Sequence, residues 1–369
     1  MQKPKRAIVI HSPHSGRAAQ LSQALNYLQQ VGVVVAQVLP ISDLDGLPPQ
    51  GAVWQQSGID IAIAAGGDGL VGGTITHIAE SGLPLGIMPL GTANDIARAL
   101  LIPQLLLQAA EVIAWGKEQE VDIGVAHPAE QAPHVASKGK KDPVHTHVPL
   151  TKHGFFAHAL TIGLNVQFAR VATNVATRQR YGFLTYTFAA LEVLKRHEAL
   201  DVSLHLEELV LPSPGISQSG QGIAMPASTE EPTTLPCHAL EVAVINAPIF
   251  AGQWQFSIPG ASLKDRLLDV VVIEDIDLEH LSIRLAQLFN SGGQQPSIPQ
   301  VRQENHFSHP RHHPGELTGI PGIHHLQARG VVVTTNADPQ DATLDGEVRG
   351  QTPIYAHVAD ERLKVLVPR

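Results

Sequence analysis

Residues 59–100 read IDIAIAAGGDGLVGGTITHIAESGLPLGIMPLGTANDIARAL. Ile59 to Ala65 is an apolar run with no charge after Asp60, the pattern of a short parallel strand buried on both faces, and it stops at Gly66-Gly67-Asp68-Gly69. From Val71 to Ser81 the pattern turns helical, so the glycines lie where main-chain N–H groups converge on the positive end of a helix. Phosphate is the natural guest of such a turn. Gly66, Gly67 and Gly69 offer no Cβ to obstruct a polyphosphate, which leaves Asp68 to hold a metal, a water or a neighbouring backbone. The second half repeats the arrangement: strand Leu85–Pro89, turn Leu90-Gly91-Thr92, and a helix opened by Asn94-Asp95. Thr92 can donate to a phosphate oxygen, and Asn94 and Asp95 suit either a capping or a catalytic role.

Working outward, Arg6–Ile10 reads as a first strand, and His11-Ser12-Pro13-His14-Ser15-Gly16 as its turn into a helix from about Arg17 to Val31. Ser12, Ser15 and Gly16 provide a third set of donors at a helix start. Val33–Leu39 is a second strand, and a helix around Gln104 to Gly116 leads to Glu120-Val121-Asp122. Strand-turn-helix units in this succession predict a doubly wound nucleotide-binding domain. Composition then shifts. Segments near 126–152, 211–236 and 291–328 are rich in Pro, Ser, Gly, Lys or His and read as insertions, while Val202–Leu206, Leu240–Ile245, Gly330–Thr335 and Leu363–Val367 read as strands. Val166–Leu200 and Leu278–Phe289 read as helices, the first carrying Arg170, Arg178, Arg180, Lys195 and Arg196. Histidines 306, 309, 312, 313, 324 and 325 crowd the last insertion. With no carboxylates at fixed spacing behind them, adventitious metal binding is the favoured reading.

Taken together, Gly66–Gly69, Pro89-Leu90-Gly91-Thr92-Ala93-Asn94-Asp95 and a later Leu344-Asp345-Gly346-Glu347 resemble the diacylglycerol kinase catalytic domain family, in particular its soluble bacterial YegS-like lipid kinases. The first half alone also suits NAD kinases and phosphofructokinases. The resemblance extends to Pro13, Ser15 and Gly16, with Ser12 in place of the family's asparagine. It implies an α/β plus β architecture: residues 1–122 as the nucleotide-binding domain, joined by 351–369, and 123–350 as a mostly antiparallel β-sandwich domain. It implies ATP as phosphoryl donor over Ser12, Ser15, Gly16, Gly66–Gly69, Thr92, Asn94 and Asp95, with a catalytic Mg²⁺. Glu347 matches the family's general base and Asp345 its partner, with Asp68 also catalytic. A structural Mg²⁺ falls on Asp265 and the carbonyls of Ser262 and Leu267, although Arg266 stands in a glycine's place. The chain also departs from the family at Leu70, Gly72 and Gly73, where threonine, asparagine and glutamate are usual. A non-catalytic nucleotide- or lipid-binding protein on the same fold is therefore the second reading, and a kinase of a soluble substrate the third.

The 369 residues are long enough for two domains, and 43% hydrophobic with 16% charged residues says globular. With 34 acidic against 25 basic residues, the formal charge of −9 argues against nucleic acid as partner, and 20 histidines make that charge pH-sensitive near neutrality. One cysteine, Cys237, excludes an internal disulfide framework. No apolar run approaches a membrane span and no signal peptide is visible. The expectation is a cytoplasmic protein that meets a lipid substrate by transient peripheral contact with the membrane surface, the cations between Arg170 and Arg196 being one candidate contact; a homodimer is left open.

Overall fold

A computed structural model of the chain describes residues 4–13, 15–131, 154–164, 166, 198–210, 233–250, 256–258, 260–274, 323–336 and 338–369. Of the expected helix Val166–Leu200, residues 167–197 with its five cations lie outside these residues and Leu200 opens a strand instead; the expected helix Leu278–Phe289 and histidines 306–313 also lie outside them.

The first sheet holds β1 (Arg6–His11), β2 (Val34–Pro40), β3 (Ile61–Gly66), β4 (Leu85–Pro89) and β5 (Lys117–Val121), together with the late strand Leu363–Val367. β1 pairs in parallel with β2 and β3, and β3 with β4, in the order β2-β1-β3-β4. Every residue of β3 and β4 is buried, as the unbroken apolar runs require. Helices α1 (Leu21–Gln30), α2 (Gly51–Gln56), α3 (Asp68–Ile78), α4 (Asp95–Ala99) and α5 (Leu106–Trp115) connect and cover the strands. Gly86 of β4 faces Ile113 of α5 and Ile63 of β3 so closely that a Cβ would lie 3.1 and 3.3 Å from them.

The second sheet is antiparallel throughout. Its strands are β6 (Gly124–Pro128), β7 (Phe155–Phe156), β8 (Ala159–Gly163), β9 (Leu200–Glu207), β10 (Thr233–Ile245), β13 (Leu268–Glu274), β14 (Ile323–Ala328), β15 (Gly330–Thr335), β16 (Asp341–Leu344), β17 (Glu347–Gln351) and β18 (Ile354–Val358); β11 (Ile249–Phe250) and β12 (Phe256–Ser257) form a separate hairpin. The main path runs β17-β16-β8-β10-β9-β15-β18-β6-β7, with β13 branching from β10 to β14. Alternating inward residues, among them Leu160, Ile162, Val202, Leu204, Val242, Val244, Val331 and Val333, make a second core. The α/β plus antiparallel-β architecture expected from the sequence is thus observed.

Several boundaries differ from the sequence reading. α3 begins at Asp68, three residues sooner than the apolar periodicity, because Asp68 and Gly69 form its first turn. α1 is preceded by a 3₁₀ turn at Ala18–Gln20, and α2 was not foreseen. The segments read as insertions are shorter at their edges: β6 runs through Pro128, β10 starts at Thr233, and His324 and His325 belong to β14. His325 is no loop residue: its Nε2 lies 2.6 Å from Oδ1 of buried Asp269, while His324 pairs with Glu274 at 3.0 Å.

Leu363–Val367, hereafter β19, enters the first sheet between β4 and β5, parallel to the former and antiparallel to the latter. At the junction of the two sheets lies Asp122, fully buried. It accepts from the main-chain N–H of Arg266 (2.8 Å) and from Arg362 Nε (2.9 Å), with Arg266 Nη1 at 3.5 Å. Asn246 Nδ2 donates across the same junction to the carbonyls of Asp122 and Ala157, each at 2.9 Å.

Candidate active site

The three turns singled out in the sequence meet at the ends of β1, β3 and β4. Leu90 N–H donates to the Gly66 carbonyl at 3.0 Å and Arg17 N–H to the Leu90 carbonyl at 2.9 Å. The turns are in contact. A Cβ on Gly91 would fall 2.3 Å from Gly67 Cα, and one on Gly16 would fall 2.5 Å from Thr92 Oγ1. Glycine is therefore required at 16 and 91 for the turns to pack on one another, whatever else they hold. Ser15 N–H closes the first turn on the Ser12 carbonyl at 3.2 Å. Arg17, which the sequence reading passed over, braces the assembly by donating its guanidinium to the Pro89 carbonyl. A cation directly after Ser15-Gly16 was the available signal.

Asp68 holds backbone. Its Oδ2 accepts from Asp95 N–H (3.1 Å) and its Oδ1 from Ile96 N–H (2.9 Å), so one carboxylate at the head of α3 caps the head of α4. Asn94 does not cap α4 with its side chain. It sits in the left-handed region (φ 55°), buried, and grips the Gly91 peptide from both sides, Oδ1 accepting from Gly91 N–H at 2.9 Å and Nδ2 donating to Gly91 O at 3.1 Å. Asn94 Nδ2 also donates to Gln104 Oε1 at 3.0 Å.

Leu344-Asp345-Gly346-Glu347 is a two-residue hairpin between β16 and β17, with φ 50° at Asp345 and 84° at Gly346, the backbone that Asp-Gly favours. The Asp345 carboxylate accepts three main-chain N–H bonds, from Ala157 (2.9 Å), His158 (2.8 Å) and Ala159 (3.1 Å). Burial pushes its pKa up to about 6 against the pull of those donors. Asp345 Oδ2 also occupies the space a side chain on Gly72 would need, 2.3 Å from the ideal Cβ position. The hairpin thereby brings Glu347 over α3: a Cβ on Gly69 would sit 3.2 Å from Glu347 Oε1. The other oxygen, Oε2, accepts from Arg349 Nε at 2.9 Å. Asp68, Gly69, Thr92 and Glu347 thus border one region at the mouth of the first sheet.

Leu70, which stands where the resemblance has threonine, is buried and packs on Gly66. The turn at Gly66–Gly69 leads into the first turn of α3, whose N–H groups have no partner within the helix, and its three glycines present no side chain, so the residues present fit a polyphosphate.

At the expected structural metal loop, Arg266 adopts φ 65°, the conformation glycine would take, and its Nη2 turns away to the Asp360 carbonyl at 3.3 Å. Asp265 Oδ1 accepts from Leu267 N–H at 3.1 Å. Burial first, then the neighbouring Asp269 and Asp122 carboxylates, hold Asp265 above the usual carboxylate range. Asp122 is already paired with Arg266 and Arg362, and Asp269 with His325, so Asp265 is the one carboxylate of this loop left to meet a cation. Among the described residues no group of three or more His, Cys, Asp or Glu side chains gathers to hold a metal ion, at this loop or elsewhere.

Residues 6–126 match the family model described as diacylglycerol kinase catalytic domain. Among curated proteins, diacylglycerol kinases of Staphylococcus aureus strains JH9 and Newman are each 36% identical over 126 residues, which is 32% of this chain and 39% of theirs. The match thus spans well under half the length of these relatives. Crystal structures from Bacillus anthracis str. Sterne described as diacylglycerol kinases align over 100% of this chain, one with TM-score 0.61, 18% identity and 97% of its own length, another with 0.55, 16% and 98%. At that identity they show a shared fold for the whole chain. The resemblance read from the glycine turns is matched by the comparison: residues 6–126 are similar to the diacylglycerol kinase catalytic domain.

Proposed function

We propose that this protein is an ATP-dependent lipid kinase that phosphorylates a hydroxyl of a diacylglycerol-like lipid. The observation that carries the reading is the approach of Glu347 Oε1 to Gly69, a carboxylate from the second sheet held over the glycine turn of the first. Arg349 fixes Oε2 and leaves Oε1 toward the cleft, where Glu347 accepts the proton of the attacking lipid hydroxyl. Asp345 is the positioning residue: its three backbone bonds lock the hairpin that carries Glu347. Gly66–Gly69 and Thr92 hold the phosphates, with Ser12, Ser15 and Gly16 closing that side and Asp68, Asn94 and Asp95 fixing the geometry of the turns. When bound, ATP supplies the γ-phosphoryl group and Mg²⁺ neutralises the charge on its oxygens; transfer then needs chiefly positioning. A second, structural Mg²⁺ on Asp265 and the carbonyls of Ser262 and Leu267 is what the family resemblance implies for that loop. The protein works from the cytoplasm, reaching its substrate at the membrane surface.

Burial of Leu70 favours a second reading, a nucleotide- or lipid-binding protein without turnover, because no hydroxyl stands at that helix start. Glu347→Gln separates the two. It keeps shape and hydrogen bonding but cannot accept the proton, so turnover of radiolabelled ATP on a panel of lipids in mixed micelles should fall about 10²- to 10⁴-fold while calorimetric ATP binding persists. Wild-type turnover in a stable Glu347→Gln protein would remove Glu347 from the chemistry. A wild type that binds ATP and phosphorylates no lipid would establish the non-catalytic reading.

A further inference from the structure

The loop from α4 to α5 carries the two most exposed large apolar side chains of the described residues, Leu101 at 79% and Leu105 at 66%. Their neighbours Ile102 and Leu106 are buried, so the two leucines stand on a fixed base. The fold does not ask for leucine at 101. Leu101 N–H donates to the Arg98 carbonyl and Ile102 N–H to the Ala97 carbonyl, the helix-end pattern whose left-handed residue is ordinarily glycine. Leu101 occupies that place at φ 58°, a conformation that strains a branched side chain and aims it at solvent.

Charge follows the same line. Residues 96–110, IARALLIPQLLLQAA, contain no carboxylate and one cation, Arg98, whose Nε donates to the Ala93 carbonyl at 2.9 Å, in a chain of net charge −9. A protein face that meets anionic headgroups needs this combination of apolar tips, a cation and cleared carboxylates. The loop is also tied to the candidate active site, through Asn94 Nδ2 to Gln104 Oε1 on one side and through Asp68 at the head of α4 on the other.

We propose that Leu101 and Leu105 form a tip that enters the headgroup layer of an anionic bilayer and sets the cleft against the lipid surface. The purpose of the tip rests on the lipid-kinase reading, but its test does not. The full chain, Leu101→Gln/Leu105→Gln and Leu101→Gly are sedimented with phosphatidylcholine vesicles containing phosphatidylglycerol, alongside calorimetric Mg·ATP binding, melting temperature and solution mass. The wild type should partition onto the vesicles, and the double variant should lose about tenfold for each leucine with ATP binding unchanged. Leu101→Gly should weaken partition by a similar factor while raising the melting temperature, since glycine relieves the left-handed position. Equal partition of wild type and double variant would overturn the proposal. So would a wild-type oligomer that ignores vesicles and becomes monomeric in the double variant, which would assign the leucines to a protein interface. Phosphorylation of a short-chain, water-dispersed diacylglycerol keeps the two ideas apart: the double variant should match the wild type there. A wild type inactive on that lipid but partitioning through the leucines would sink the kinase reading and support the tip.

Discussion

Gly72 and Asp345 lie 273 positions apart in the chain, yet one has no side chain because the other needs the room. Gly72→Ala would ordinarily strengthen a helix; here the added methyl would push Asp345 off the three N–H groups that hold it. We expect a loss of about 1–3 kcal/mol in urea unfolding, against the usual gain for Gly→Ala within a helix. Restoring the family's hydroxyl with Leu70→Thr should also destabilise, by about 1–3 kcal/mol, since the leucine is buried against Gly66. Asp345 brings a pH dependence with a definite sign. Its folded pKa, about 6, lies above the ordinary 3.8, so the folded state holds the proton more tightly. The contribution of this group to stability is present below about pH 4 and is lost as pH rises toward 6. Asp345→Asn should lack that decline, which paired melts of the two proteins across this range would show.

α4 has five residues, too few to persist unaided, and its first N–H groups are satisfied from another turn altogether. Asp68→Ala leaves the Asp95 and Ile96 N–H groups without that acceptor, so the variant should lose about 1–3 kcal/mol and free α4 to exchange its amides faster than α3 does. This element shows how far the sequence could be read. The buried runs of β3 and β4 and the Gly-Gly-Asp-Gly turn were legible because a doubly buried strand and a Cβ-free turn each restrict residue type within a few positions. The Asp345-Gly346 turn is local in the same way, because few residue pairs accept its left-handed backbone. A neighbouring backbone was one of the three partners read for Asp68, but that it would be the head of α4 was not legible, nor were Asn94 as the clamp on Gly91 and Asp345 as the occupant of the Gly72 gap, since each depends on which segment arrives beside it. β14 was hidden by composition: His324 and His325 look like the end of a polar tract until β13 brings the Glu274 and Asp269 side chains within reach of them.

At the scale of the molecule, the two sheets are joined where Asp122 meets Arg266 and Arg362. Arg362→Gln takes one cation from a fully buried carboxylate, and a loss of about 3 kcal/mol is expected in urea unfolding, with both sheets affected together because Arg362 directly precedes β19. The position of β19 also has a temporal meaning. β4 and β5 leave the ribosome early, but the strand that must lie between them is made only after residues 122–362 have been added. At roughly 5–20 residues per second, those 241 residues take about 12 to 48 seconds. Throughout that interval the nascent first sheet offers two open edges that are one strand short of each other, and a nascent chain arrested before Leu363 should be cut by protease within β4 or β5 and bound by chaperones, whereas one released after Val367 should not.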